Sequence, residues 1–75
     1  MVNVRVVRKA DFGEFPEIGR TAERIRAALG EDGRLDLRYS GTEPVARIMI
    51  EGRDKRKIEA YAGRLAEAIR KHLGE

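Results

Sequence analysis

An α+β fold of order β-α-β-β-α, with two helices packed on one face of a small, mainly antiparallel sheet, follows from three features of this 75-residue chain. Three short stretches alternate apolar and polar residues, as half-buried strands do. Two longer stretches each carry a single apolar stripe at helical spacing. The second and third alternating stretches are separated only by Gly41-Thr42-Glu43-Pro44, a connection short enough to make them a hairpin. Each helix has one stripe to bury and each strand one face, so both helices belong on the same side of the sheet. The length suits one small domain over residues 1–75, which buries about 60% of the surface its unfolded chain exposes and has little room for a deep cleft.

The first strand lies within Met1–Val7, where Val2, Val4 and Val6 alternate with Asn3 and Arg5. It starts with no lead-in, as in a very compact protein or a piece of a longer one. Lys9 to Pro16 shows neither strand nor helix period and reads as a loop whose Phe12 and Phe15 plug one edge of the core. Pro16 suits a first helical turn, and Ile18, Ala22, Ile25 and Leu29 then share one stripe up to Gly30, in the position of a terminating glycine. Glu31-Asp32-Gly33 supplies turn chemistry before the hairpin. After it, Gly52 and Arg53 connect to Asp54, an N-cap for a last helix whose stripe is Ile58, Tyr61, Ala62, Leu65, Ile69 and Leu73. Gly63 inside that helix costs up to about 1 kcal/mol against alanine unless a close contact needs the missing side chain.

The hairpin tip carries the chemistry. With a four-residue loop, Ser40 faces Val45, and counting outward sets Leu37 opposite Ile48 and Leu35 opposite Ile50 on the helix side. The same count sets Arg38 opposite Arg47 on the other face, an unfavourable like-charge pair that an anion between them would relieve. Phosphate fits that gap. Guanidinium forks bind it bidentately, the Ser40 and Thr42 hydroxyls add hydrogen bonds, and Gly41 lets backbone N–H groups approach without a Cβ in the way. Pro44 stiffens the loop exit. The rest of that face, Arg34 and Asp36 on one strand and Met49 and Glu51 on the other, is open or meets a partner.

At these residues the chain becomes recognisable. Arg38-x-Ser40-Gly41-Thr42-Glu43-Pro44-x-x-Arg47, followed by Ile48-Met49-Ile50-Glu51, resembles the phosphate-binding loop of the α-D-phosphohexomutase superfamily, most closely in its phosphoglucosamine mutase branch. Asn3-Val4-Arg5-Val6 is similar to the start of that family's fourth, C-terminal domain, and the elements follow in the family's order. The resemblance implies the TATA-box-binding-protein-like fold of that domain. It also implies that Arg38, Ser40, Gly41, Thr42 and Arg47 grip the phosphate of a phosphorylated hexose or hexosamine that is not being transferred, while Glu43 and Pro44 shape the loop. The family's phosphoserine, its magnesium-binding aspartates and its sugar-specificity loop belong to the first three domains. The implied partners are therefore those remaining domains, with no cofactor and no metal in this one, and no catalytic residue or activity in the domain alone.

Composition narrows the alternatives. There is no cysteine, which removes disulfides and thiolate metal sites and fits a reducing compartment. No apolar run approaches the length of a membrane span, and there is no signal-peptide core, so a soluble, cytoplasmic protein without membrane partners is expected. The 16 basic and 13 acidic residues are interspersed, which argues for a solvated surface over a nucleic-acid footprint. An RNA-binding sheet would expose aromatics, whereas Tyr39 points to the helix side by parity. The run Arg53, Lys55, Arg56, Lys57 reads as a solvated face, and His72 as a surface residue favoured by the helix dipole. Tyr39, Tyr61 and Met49 read as packing residues, Met49 unless its face meets another domain. A free-standing phosphate-dependent interaction or regulatory module would show the same loop.

Overall fold

In the computed structural model, which describes residues 1–74, the middle of the sheet is β3 (Val45–Glu51), flanked by β1 (Val2–Arg5) and β2 (Arg34–Tyr39). The strand order is β1-β3-β2, with both pairs antiparallel. Helices α1 (Pro16–Leu29) and α2 (Lys55–Leu73) complete the β-α-β-β-α order. The α+β fold inferred from residue periods is the fold observed. β1 and β2 each donate their ladder to β3, so the connection through α1 must carry the chain from one sheet edge to the other.

β1 is shorter than the alternation of valines suggests. β3 starts at Val45, so Val6 and Val7 have no strand residue opposite them. Instead the Val6 N–H donates to the Pro44 carbonyl (2.9 Å) and the Val7 N–H to the Leu73 carbonyl (2.8 Å), with a single bridge between Val6 and Gly74. The chain beyond β1 is thereby held against both the hairpin loop and the end of α2. Inside the segment read as loop, Phe12–Glu14 forms one 3-10 turn closed by a capping box in which the Asp11 carboxylate accepts from Gly13 N–H. A single turn is too short to show a period in sequence.

The core lies between the helices and the helix-facing side of the sheet. Val4, Val6, Ile18, Ile48, Leu65, Ile69 and Leu73 are fully enclosed. Burying a side chain of this size stabilises by about 1.5–3 kcal/mol, which makes these seven the main apolar contribution. Gly30 ends α1 with φ 64°, a left-handed value that disfavours any side chain, and its N–H donates to the Arg26 carbonyl. Asp54 caps α2 by accepting from Lys57 N–H (3.2 Å). The buried stripe of α2 is wider than its apolar spacing indicates, because Ala66 and Ala68 are buried as well. α2 packs against α1 as well as against β1 and β3, and small residues permit that double contact. Gly63 is exposed and a Cβ there would meet nothing within 4 Å, so no contact explains it.

The helix-distal face is not uniformly open. Met49, read as a packing residue, is 41% exposed on this face. At the loop end, by contrast, Ser40 and Val45 are buried, and Val45 stands apart from the helix-side core. No helix among the described residues is long and apolar enough to cross a membrane.

Candidate anion site at the hairpin tip

The hairpin register is the one counted from its loop. Leu35 pairs with Ile50, Leu37 with Ile48 and Arg38 with Arg47, while the Ser40 N–H donates to the Val45 carbonyl (2.8 Å). Directly opposed residues share a face, so the two guanidinium-bearing strands present their arginines on the same side. Both are exposed, and both line one shallow depression with Met1, Asp36 and Met49. β1 extends this row, because Asn3 pairs with Arg47 and Arg5 with Val45, adding a third arginine at the loop end of the face.

Arg38 already has an anion beside it. Its Nη2 lies 2.7 Å from Asp36 Oδ2 and its Nε 3.3 Å from Asp36 Oδ1, a two-point contact between residues two apart on one strand. The Arg38 side chain is 70% exposed in this pair, and exposed ion pairs contribute only about 0–1 kcal/mol. A ligand offering two oxygens displaces such a partner at little cost. The Asp36–Arg38 pair was missed in the sequence, although its i, i+2 spacing, which puts both residues on one strand face, was the signal for it.

The loop is organised from within by Ser40. Its Oγ accepts from the N–H groups of Thr42 and Glu43, each at 3.3 Å. Among the described residues Ser40 is the one buried polar residue; its hydroxyl oxygen serves the loop backbone, and its O–H remains as a donor. Glu43 and Pro44 act through their carbonyls: Glu43 O accepts from Val45 N–H (2.8 Å) and Pro44 O from Val6 N–H. Gly41 is exposed, has no left-handed φ, and a Cβ built on it would meet nothing within 4 Å. Neither turn geometry nor packing inside the chain requires glycine there. Its N–H has no hydrogen-bond partner among the described residues.

The β1–α1 connection backs the tip. Lys9 Nζ donates to the Ser40 carbonyl at 2.6 Å, and Tyr39 Oη donates to the Ala10 carbonyl at 2.5 Å. Phe12 stacks on Tyr39 with centroids 4.3 Å apart. Burial pushes the Tyr39 phenol above its ordinary value, against the pull of Arg8, and keeps the donating proton in place. Neither Lys9 nor its bond had a signal in the sequence, because the partners are 31 residues apart. On the far side of the connection, Phe15 packs near the His72 ring, and His72 Nε2 and Lys71 Nζ lie 2.9 and 3.2 Å from Glu17 Oε1. Of the basic run at the start of α2, Arg53, which precedes the helix, reaches Asp32 at 3.5 Å.

The fold and its Arg-x-Ser-Gly-Thr-Glu-Pro tip define a small α+β domain of the phosphohexomutase kind. Residues 1–68 match the family model described as "Phosphoglucomutase/phosphomannomutase, C-terminal domain", and the chain belongs to that family. Among curated relatives it is 45% identical over 75 residues to the phosphoglucosamine mutase of Pelobacter propionicus, covering all of this chain and 17% of that protein. It is likewise 45% identical over 74 residues to that of Syntrophotalea carbinolica and 42% over 73 residues to that of Myxococcus xanthus, with 16% of each relative covered. The chain thus spans about a sixth of the length of the relatives it matches. Among the described residues no group of three or more acidic or histidine side chains gathers as a metal site would.

Proposed function

We propose that residues 1–75 are a single domain, the C-terminal phosphate-binding domain of a phosphoglucosamine mutase, and that it grips the phosphate of the sugar that is not being transferred. The parent reaction is the interconversion of glucosamine 6-phosphate and glucosamine 1-phosphate through a bisphosphorylated intermediate, carried out in the cytoplasm. The observation that carries this reading is the direct opposition of Arg38 and Arg47 on one exposed face, beside a loop whose Gly41 N–H has no partner among the described residues. A phosphate dianion bridging the two guanidinium groups removes their repulsion and replaces Asp36 on Arg38. Thr42 and the Ser40 O–H then supply further donors, and Glu43 and Pro44 keep the loop in shape.

Holding the remote phosphate turns binding energy into orientation of the reacting end and helps exclude water when the parent closes. The phosphoryl donor, the magnesium ion and the determinants of sugar identity come from the rest of the parent. The 75-residue chain therefore shows no mutase turnover by itself. Its 45% identity to a phosphoglucosamine mutase over the whole chain supports this reading over a free-standing regulatory module. Inorganic phosphate titrated into the chain and followed by amide NMR is expected to shift Ser40, Gly41 and Thr42 with a Kd near or above 1 mM, equivalent to about 4 kcal/mol. Saturating phosphate that leaves those three amides in place sinks the assignment.

A further inference from the structure

We propose that Lys9 is a positioning residue for the anion loop, its ammonium pinning the Ser40 carbonyl so that the Gly41 N–H is held toward the bound phosphate. The inference rests on the phosphate reading of the hairpin tip and deepens it by adding a residue outside the motif.

The geometry starts from one peptide plane. No peptide bond of the described chain is cis, so the Ser40 carbonyl and the Gly41 N–H, which belong to the same rigid unit, point in opposite directions. Lys9 Nζ sits 2.6 Å from that carbonyl, a short hydrogen bond whose donor carries a positive charge. Whatever fixes the carbonyl toward Lys9 fixes the N–H away from it. That N–H has no partner in the described chain and lies at an exposed tip where a Cβ would meet only open space. A donor so held and left unused by its own fold is the element an anion site needs.

Lys9 is itself held in place. The chain leaves β1 with Val6 N–H on the Pro44 carbonyl, on the exit side of the loop. It then crosses to the entry side, where Lys9 reaches Ser40 and the Ala10 carbonyl accepts from Tyr39. The stacking of Phe12 on Tyr39 anchors the segment just beyond. The two shoulders of the loop are therefore tied to one connection, and Lys9 supplies the charged tie. Without it the Ser40–Gly41 plane is free to rotate, since glycine opposes that rotation least of all residues.

The test uses the 75-residue chain, inorganic phosphate as probe, and Lys9→Met, Lys9→Arg and Arg8→Met variants. In the absence of phosphate, Lys9→Met is expected to move the Gly41 amide resonance, while Lys9→Arg restores a donor and leaves it near wild type. With phosphate, Lys9→Met should weaken binding about tenfold and Lys9→Arg by no more than about twofold. Arg8→Met removes a neighbouring positive charge without touching the Ser40 carbonyl. An equal loss of binding in Arg8→Met and Lys9→Met would show a general field and overturn the proposal, as would an unmoved Gly41 amide in Lys9→Met. Thermal melts of all variants separate loss of fold from loss of loop geometry. If wild type fails to bind phosphate at all, the phosphate reading falls, whereas the ligand-free Gly41 resonance still decides whether Lys9 sets the plane.

Discussion

Replacing Gly41 with alanine separates what the fold needs from what a ligand needs. Gly41 has an ordinary φ and a Cβ there meets nothing within 4 Å, so alanine fits the folded chain and restricts the unfolded one. The expected gain is about 0.4–1 kcal/mol, or roughly 2–8 °C in Tm for a domain of this size. Binding should move the other way, because the new methyl occupies the space through which a phosphate oxygen approaches the Gly41 N–H. A hydrogen bond to a charged group is worth about 1.5–3 kcal/mol, and 1.4 kcal/mol is tenfold in Kd. Phosphate affinity should therefore fall at least about tenfold from its millimolar starting point, so that an NMR titration no longer approaches saturation. A variant that melts as high as wild type and still binds phosphate equally well would refute the close approach; one that melts lower would refute the claim that the chain itself leaves that position empty.

Adding the same methyl at Gly63 is the matched control: the site is helical, exposed and uncontacted, so Gly63→Ala should stabilise by about 1 kcal/mol in a chemical melt and leave phosphate binding alone. Asp36→Asn removes the carboxylate that occupies Arg38, costs at most about 1 kcal/mol of stability, and should tighten phosphate binding about fivefold in a low-salt titration, an advantage that fades as salt screens the face. Glu17 bonds to His72 and Lys71, and these contacts hold its carboxyl below the ordinary value of 4.5. A depressed carboxyl contributes stability above its unfolded value and loses it as pH falls through the lower folded value. Wild type should thus lose stability from about pH 4.5 downward more steeply than Glu17→Gln, as read from urea midpoints across that range; parallel curves would remove Glu17 from the account.

The hairpin was legible because its information is local. A four-residue loop with alternating flanks permits one register that sets Leu35, Leu37, Ala46 and Ile48 together on the helix-facing side, and a slip by one would turn all of them to the other face. The opposition of Arg38 and Arg47 is a consequence of that register, as are the caps at Gly30 and Asp54 of residues beside them in the chain. The burial of Ser40 escaped the same logic, since parity assigns it to an open face and cannot see that its hydroxyl gathers two loop N–H groups.

Period and turn length therefore determined the elements, the strand register and the pair of facing arginines, all properties of neighbours within one stretch of backbone. Tertiary structure alone decided that β3 lies between β1 and β2, that Asn3 and Arg5 join the arginine face, and that Lys9 reaches the Ser40 carbonyl. Those contacts join segments about 30 or more residues apart. They depend on which stripe packs against which face once the loops have closed, and no spacing within a single stretch encodes that choice.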